Sequence, residues 1–283
     1  MLFRSRVVLK HVGDKLGSSF IIENFKGAGG QVGYTTLAMA RPDGYSIGTI
    51  TTMSLITHEL TRKNVAYQLK ESFIPIARIV NDPSGLFVRA ESPIQSIEDL
   101  FEQAKEQPDM ISCGGSMVWG THHVHCILLD QISGVKLNYI PFDGGSETRN
   151  NLLGGHIDLS AGGMSEFMSL IDAGKVRALV VASESRSKDL PTVPTYRELG
   201  YNLVIGSDRG FAAPKGTPIE YIKILSQTIE EVIQDSTFLK AADKMSLTPI
   251  LAYLDYEEFR EYLLKLREDV SKIVIRQRQK SNK

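Results

Sequence analysis

The sequence predicts an α/β fold in two lobes, and three observations carry that reading. At 283 residues the chain is long for a single hydrophobic core. Short β-like runs alternate with amphipathic helical ones, which implies largely parallel sheets joined by crossover helices. Four strand-to-helix junctions are rich in glycine and hydroxyl residues, and ligands of such folds sit at the carboxyl ends of strands.

The elements follow in order. Val8, Leu9, Val12 and Leu16 recur at helical spacing and Gly17 is a natural stop, so a helix runs from Met1 to about residue 16. No capping residue or strand precedes it, and the chain reads as cut at the front. "SFIIENF" reads as a strand, and "KGAGGQVG" leads into a small-residue helix ending near Ala40. "PDG" turns the chain into the strand "YSIGTITT", with a helix junction at "TTMS". "FIPIARIV" and "SGLFVRA" are strands, "SIEDLFEQAKEQ" a helix, "MISCGG" a strand and "THHVHCILLDQIS" a helix. Then come the strand "LNYIPF", a helix over 146–153, the strand "IDLSAGG", a helix over 165–173 and the strand "VRALVVAS". Two later stretches, "PIEYIKILSQTIEEVIQ" and "DYEEFREYLLKLREDVSKIV", have helical periodicity. Crossings between lobes are expected near 105–110 and 204–218, so lobe one is 1–108 with 209–283 and lobe two is 109–208.

Composition narrows the function classes. With 42% hydrophobic and 23% charged residues, this is an ordinary globular chain. A net charge of −1 gives no reason to expect nucleic acid or an anionic membrane as partner. The basic end "IRQRQKSNK" reads as a solvated helix tail. No apolar run approaches a membrane span, and the N-terminus lacks a secretory signal. Two cysteines, Cys113 and Cys126, are too few for a disulfide framework and leave the redox compartment open.

"CGGSMVWGTHHVH" concentrates the chemistry. His122, His123 and His125 stand at a helix start, and Cys113 or Cys126 can be imagined beside them as zinc ligands; no HExxH or CxxC accompanies them, so no metal is expected. Ser116 lies near His122 but in no GxSxG turn, which disfavours a nucleophile centre. A pocket wall suits the residues better. Gly114 and Gly115 allow close backbone approach, while Ser116, Thr121 and the free amides opening the helix are donors toward an anion. "GAGGQVG", "TTMS" and "PFDGGSE" repeat that grammar, and neither a dinucleotide fingerprint nor a P-loop occurs, so no cofactor is expected.

These stretches, in this order, resemble the extracytoplasmic substrate-binding receptors of tripartite tricarboxylate transporters, the Bug family. "IIENFKGAGGQVG" looks like the family's "vVeNrpGAGGniG", and "ARPDGYSIG" resembles its "PDGYTl" segment. "GGSMVWGTHHV" corresponds to its Ser/Gly loop and helix, and "YIPFDGGSETRNNLLGGHIDL" to "vpYrGgapal.dLlgGhvD". "LIDAGKVRALVVASESRSKDLPTVPTYRELGY" and "GFAAPKGTP" also fit, so the likeness covers almost the whole chain.

The resemblance implies a type II periplasmic-binding-protein fold, two lobes around a cleft. It implies a monomeric, non-enzymatic receptor that takes a small carboxylate to the membrane subunits of the transporter. The implied contacts are Ala28, Gly29 and Gly30; Thr51 and Thr52; Ser116, Thr121 and His122; and Phe142, Asp143 and Gly144. Asp158 would order a wall of the cleft. The departures imply an N-terminally truncated member, since the family's signal peptide, first strand and first glycine loop are absent. Periplasmic location follows from the family, cytoplasmic location from Met1 as the true start. Asp208 stands where the family often has tryptophan, and Trp119 is either its compensation or an exposed loop residue. The alternatives are a truncated relative that does not bind, and an enzyme using Ser116, His122 or Asp158.

Overall fold

Val8, Leu9 and Val12, spaced for one helix face, are all buried along α1 (Leu2–Leu16). Met1, where the sequence starts this helix, lies outside the described residues, which are 2–245 and 247–281 of the computed structural model. The chain divides into unit 1, Met1–Asn81 with Asp208–Lys283, and unit 2, Asp82–Ser207.

Unit 1 continues with α2 (Gln31–Ala38), β1 (Gly48–Thr51), α3 (Thr52–Thr61), α4 (Leu69–Ser72) and the first half of β2 (Phe73–Arg89). Unit 2 carries the rest of β2, α5 (Ile97–Glu106), β3 (Ser112–Ser116), α6 (Thr121–Ser133), β4 (Asn138–Phe142), α7 (Gly145–Leu153), β5 (Leu159–Gly163), α8 (Met164–Asp172) and β6 (Val176–Val181). Almost all of β7 (Gly206–Pro214) belongs to unit 1, followed by α9 (Ile219–Gln234), α10 (Ser236–Asp243), β8 (Leu251–Leu254) and α11 (Tyr256–Ser281).

The sheet of unit 1 orders its strands β1, β7, β2, with β8 also on β2. β1 runs antiparallel to β7, placing Thr51 opposite Arg209. Helix α1 packs on α9 and α10, where the His11 ring meets Phe238 edge-on at 5.6 Å. In unit 2, β5 and β6 flank β2 antiparallel, and β3 lies parallel between β5 and β4. Phe87 of β2 stacks on Phe167 of α8 at 4.1 Å, with Leu152, Ile157 and Val176 around them. Each such buried phenyl ring contributes about 1.5–3 kcal/mol.

Three expectations are corrected here. "SFIIENF" is not a strand: no described strand pairs with it, and Ile21 and Phe25 are exposed. Apolar composition alone cannot make a strand when no ladder lies beside it. The sheets are not largely parallel, because β2 is one strand rather than two and each partner it pairs with in register runs against it. The first crossing between units comes at Asn81/Asp82, not near residue 108, so the division differs from 1–108, 109–208 and 209–283. The 17 residues of β2 run through that point with buried apolar side chains in both halves, so composition does not change there. The second crossing, Ser207/Asp208, falls within the expected stretch.

Candidate functional site

In unit 1 two glycine or hydroxyl junctions lead into helices. Ala28–Gly30 forms a tight turn in which Ala28 (φ 46°), Gly29 (φ 64°) and Gly30 (φ 99°) all take left-handed conformations. That geometry explains the glycines: a side chain at Gly30 would be strained and would meet the Tyr34 ring. Arg62 fixes the turn, its Nη1 donating to the Ala28 carbonyl at 2.8 Å and to Gln31 Oε1 at 2.7 Å. The second junction joins β1 to α3. Thr51 precedes the helix in extended backbone, and its amide donates to the Tyr34 hydroxyl at 3.3 Å. Thr52 is fully buried, and its Oγ1 has no hydrogen-bond partner among the described residues.

Tyr34 and Arg209 are the residues that the sequence did not single out. Burial raises the Tyr34 phenol, opposed by the Thr51 hydrogen bonds and the Arg209 charge. Arg209 therefore acts electrostatically on the β1–α3 junction, opposite Thr51 in the ladder. Only strand pairing could have revealed it, since the residues lie far apart in sequence.

Unit 2 builds its counterpart between β3 and α6. Ser116 ends β3, and its Oγ shares a hydrogen bond with His122 Nδ1 at 3.1 Å. Between them, Met117 (φ 56°) and Trp119 (φ 63°) are both left-handed without being glycine. The surroundings hold them there. The Met117 amide donates to the Phe142 carbonyl at 3.0 Å, and the Tyr139 hydroxyl lies 3.2 Å from the carbonyls of both Ser116 and Met117. The Trp119 amide donates to His123 Nδ1 at 3.0 Å, which requires that nitrogen unprotonated; burial holds His123 at about 4. Thr121 opens α6, and its Oγ1 accepts from Ser207 at 3.2 Å.

Gly115 shows how closely this turn is built. A Cβ there would lie 2.6 Å from the Tyr139 hydroxyl and 3.0 Å from His122 Cβ. Gly115→Ala is therefore expected to cost about 1–3 kcal/mol in a urea unfolding experiment. A neutral result would show that Tyr139 can retreat without loss.

The remaining sequence candidates divide. Phe142 ends β4, and Gly144 caps α7, its carbonyl accepting from Thr148 Oγ1 at 3.1 Å. The Asp143 amide already donates to Glu147 at 3.1 Å, so the first turn of α7 holds a carboxylate of its own. A fifth junction, β5 into α8, does the same: Asp82 accepts from the Ser165 amide at 3.0 Å and its Oγ at 2.6 Å. Asp158 accepts from the Ser112 amide and hydroxyl at 2.8 and 2.6 Å, bracing the start of β3. Four residues along the strand place it roughly 13 Å from Ser116, so it does not join Ser116 and His122 in one catalytic group. The structure brings Ser116 and His122 together, and Thr51 with Thr52 beside Tyr34.

Asp208 is buried, but it does not stand as a free acid. Arg78 Nη1 (3.1 Å), Asn81 Nδ2 (2.7 Å) and the Tyr262 hydroxyl all donate to its carboxylate. Desolvation still raises its pKa, against those bonds. His125 lies fully buried between Ser84 Oγ (2.8 Å) and the Tyr196 hydroxyl (2.9 Å). Among the described residues no three His, Cys, Asp or Glu side chains converge to hold a metal ion, and no helix is long and apolar enough to cross a membrane.

The two helix starts, α3 and α6, thus carry backbone amides and hydroxyls and, in unit 1, a nearby guanidinium charge. Such groups hold anions. The chain is 28% identical to Protein BugT of Bordetella pertussis over 254 residues, 89% of this chain and 78% of that one. It superposes on a TctC solute-binding protein from Polaromonas with TM-score 0.80 at 28% identity, covering 96% and 92% of the two chains. For the periplasmic binding protein BugD the values are 0.82, 29%, 96% and 91%. Two Rhodopseudomonas palustris proteins share the fold at 23% identity: MatC, solved with malate (TM-score 0.77, covering 96% and 91%), and another solved with adipate (0.81, 95% and 90%). The Polaromonas protein and BugD are a solute-binding and a periplasmic binding protein, and this chain shares their mixed α/β fold. The profile of the tripartite tricarboxylate transporter family receptor, TctC, matches residues 4–262, and the chain belongs to that family.

Proposed function

We propose that this receptor binds a small carboxylate, a di- or tricarboxylate, outside the cytoplasm and as a monomer. It then delivers that ligand to the membrane subunits of a tripartite tricarboxylate transporter. The observation that carries the reading is the β1–α3 junction, where the buried Thr52 hydroxyl, unpaired among the described residues, opens a helix next to Thr51, itself opposite Arg209 in the ladder. A buried hydroxyl without a partner costs roughly 1–3 kcal/mol, and a ligand carboxylate would remove that cost. The malate and adipate held by two proteins of this fold support a dicarboxylate as the ligand class.

The proposed contacts in unit 1 are Ala28, Gly29, Gly30, Thr51 and Thr52, to which Tyr34 and Arg209 are added. In unit 2 they are Ser116, Thr121 and His122, with Phe142, Asp143 and Gly144 beside them, where the ligand would exchange with Glu147 for the Asp143 amide. Recognition of this kind leans on amides and hydroxyls, with Arg209 supplying the formal charge.

Thermal shift against a panel of mono-, di- and tricarboxylates tests the proposal, and a selective rise for one of the polycarboxylates is expected. Arg209→Gln should then weaken that ligand about 10- to 100-fold, as loss of a hydrogen bond to a charged group does, and Thr52→Val about 3- to 10-fold. Unchanged affinity in both variants would remove the β1–α3 junction from the site.

A further inference from the structure

Cys113 of β3 and Cys126 of α6 are both buried, and their sulfurs lie 3.6 Å apart. Between them in the chain stands the turn of Met117 and Trp119, with Ser116 before it and Thr121 and His122 after it. A disulfide needs the sulfurs at about 2.05 Å, a small closure for two facing thiols. The two elements also meet through the Ser116–His122 hydrogen bond.

We propose that Cys113 and Cys126 are a redox modification site, whose disulfide closes a covalent ring around the 117–120 turn and steadies it. The chemistry is thiol–disulfide exchange with a small disulfide oxidant of the glutathione type. The thiolate of Cys126, the more accessible of the two, attacks one sulfur of the oxidant and expels the other half as a thiolate. The Cys113 thiolate then attacks the Cys126 sulfur of the mixed disulfide, forming the internal bond and releasing the second half. Two protein thiols lose two electrons and two protons in total, and the oxidant becomes two thiols. The contact with Cys113, and after it burial, raise the Cys126 thiol. Exchange is therefore slow in the folded chain, and the bond forms most readily during folding.

The test refolds the full chain from urea in glutathione buffers of graded oxidation and counts free thiols after denaturation. Oxidised buffer should take the count from two to none, with a crosslinked 113–126 peptide by mass spectrometry. The bridged chain should melt about 5–10 °C higher, as expected for a loop of this length in a protein of this size. Amide exchange at 117–120 should slow. Cys126→Ser, given the same treatment, should show neither the crosslink nor the shift. Persistence of both thiols, disulfide-linked dimers, or a bridge that leaves melting and exchange unchanged would each overturn the proposal. Any change in carboxylate affinity on oxidation rests on the receptor reading above. Thiol count, melting and exchange do not, so the two readings fail separately.

Discussion

Acidification from pH 7 to pH 4.5 is expected to destabilise this protein steeply, with His125 as a principal cause. Burial, and secondarily the charge of His122, depress His125 from 6.5 to about 3. In the folded chain the imidazole therefore stays neutral between Ser84 and Tyr196 where the unfolded chain would protonate it. Below 6.5 the unfolded state binds the extra proton, so stability is unaffected above about pH 7 and falls as pH drops through the window from 6.5 to about 3. One such group contributes about 1.4 kcal/mol per pH unit in that window. His58 and His123, each held at about 4 chiefly by burial, act in the same direction. Urea midpoints between pH 6.5 and 5, above most carboxylate titration, measure this. His125→Gln, which keeps an amide donor and acceptor, should reduce the slope by close to one proton; an unchanged slope would mean that His125 is not the titrating group.

Asp208→Ala is expected to cost about 3–5 kcal/mol, the usual effect of removing one member of a buried ion pair. The carboxylate ties its own strand, β7, to two other elements of unit 1: Arg78 and Asn81 of β2 and Tyr262 of α11. Without it the guanidinium, which also lies 5.1 Å from the Tyr262 ring centroid, is left without its counter-ion. Asp208→Asn keeps an acceptor for these donors and should cost markedly less. Because desolvation raises the Asp208 pKa, acid favours rather than weakens this site, so it does not share in the histidine-driven loss. The urea midpoint at pH 7.5 is the measurement, and a loss below about 1 kcal/mol would show that the cluster is ornamental to stability.

How much of this was legible in the sequence differs by element. α1, α5 and α9 declared themselves by spacing, because a helix carries its periodicity locally. α5 adds its own capping box at Ser96 and Asp99. The four glycine and hydroxyl junctions were likewise visible, since each is one contiguous stretch. β2 was not, because two apolar runs joined by "NDP" look like two strands, and only pairing with β5, β6 and β8 shows one. "SFIIENF" misled for the opposite reason, having strand composition but no described neighbour to complete it. Arg209 and Asp208 stand side by side in β7 with opposite roles, and no local pattern distinguishes them. Ladder register puts the one opposite Thr51, and long-range hydrogen bonds bury the other with Arg78.

Isothermal titration of the purified chain with malate, adipate and citrate, beside Arg209→Gln under identical conditions, probes the receptor reading most directly. The expected outcome is saturable one-to-one heat for at least one of the three acids, weakened at least tenfold in the variant. Absence of heat from all three acids, in a chain that melts cooperatively, would contradict it.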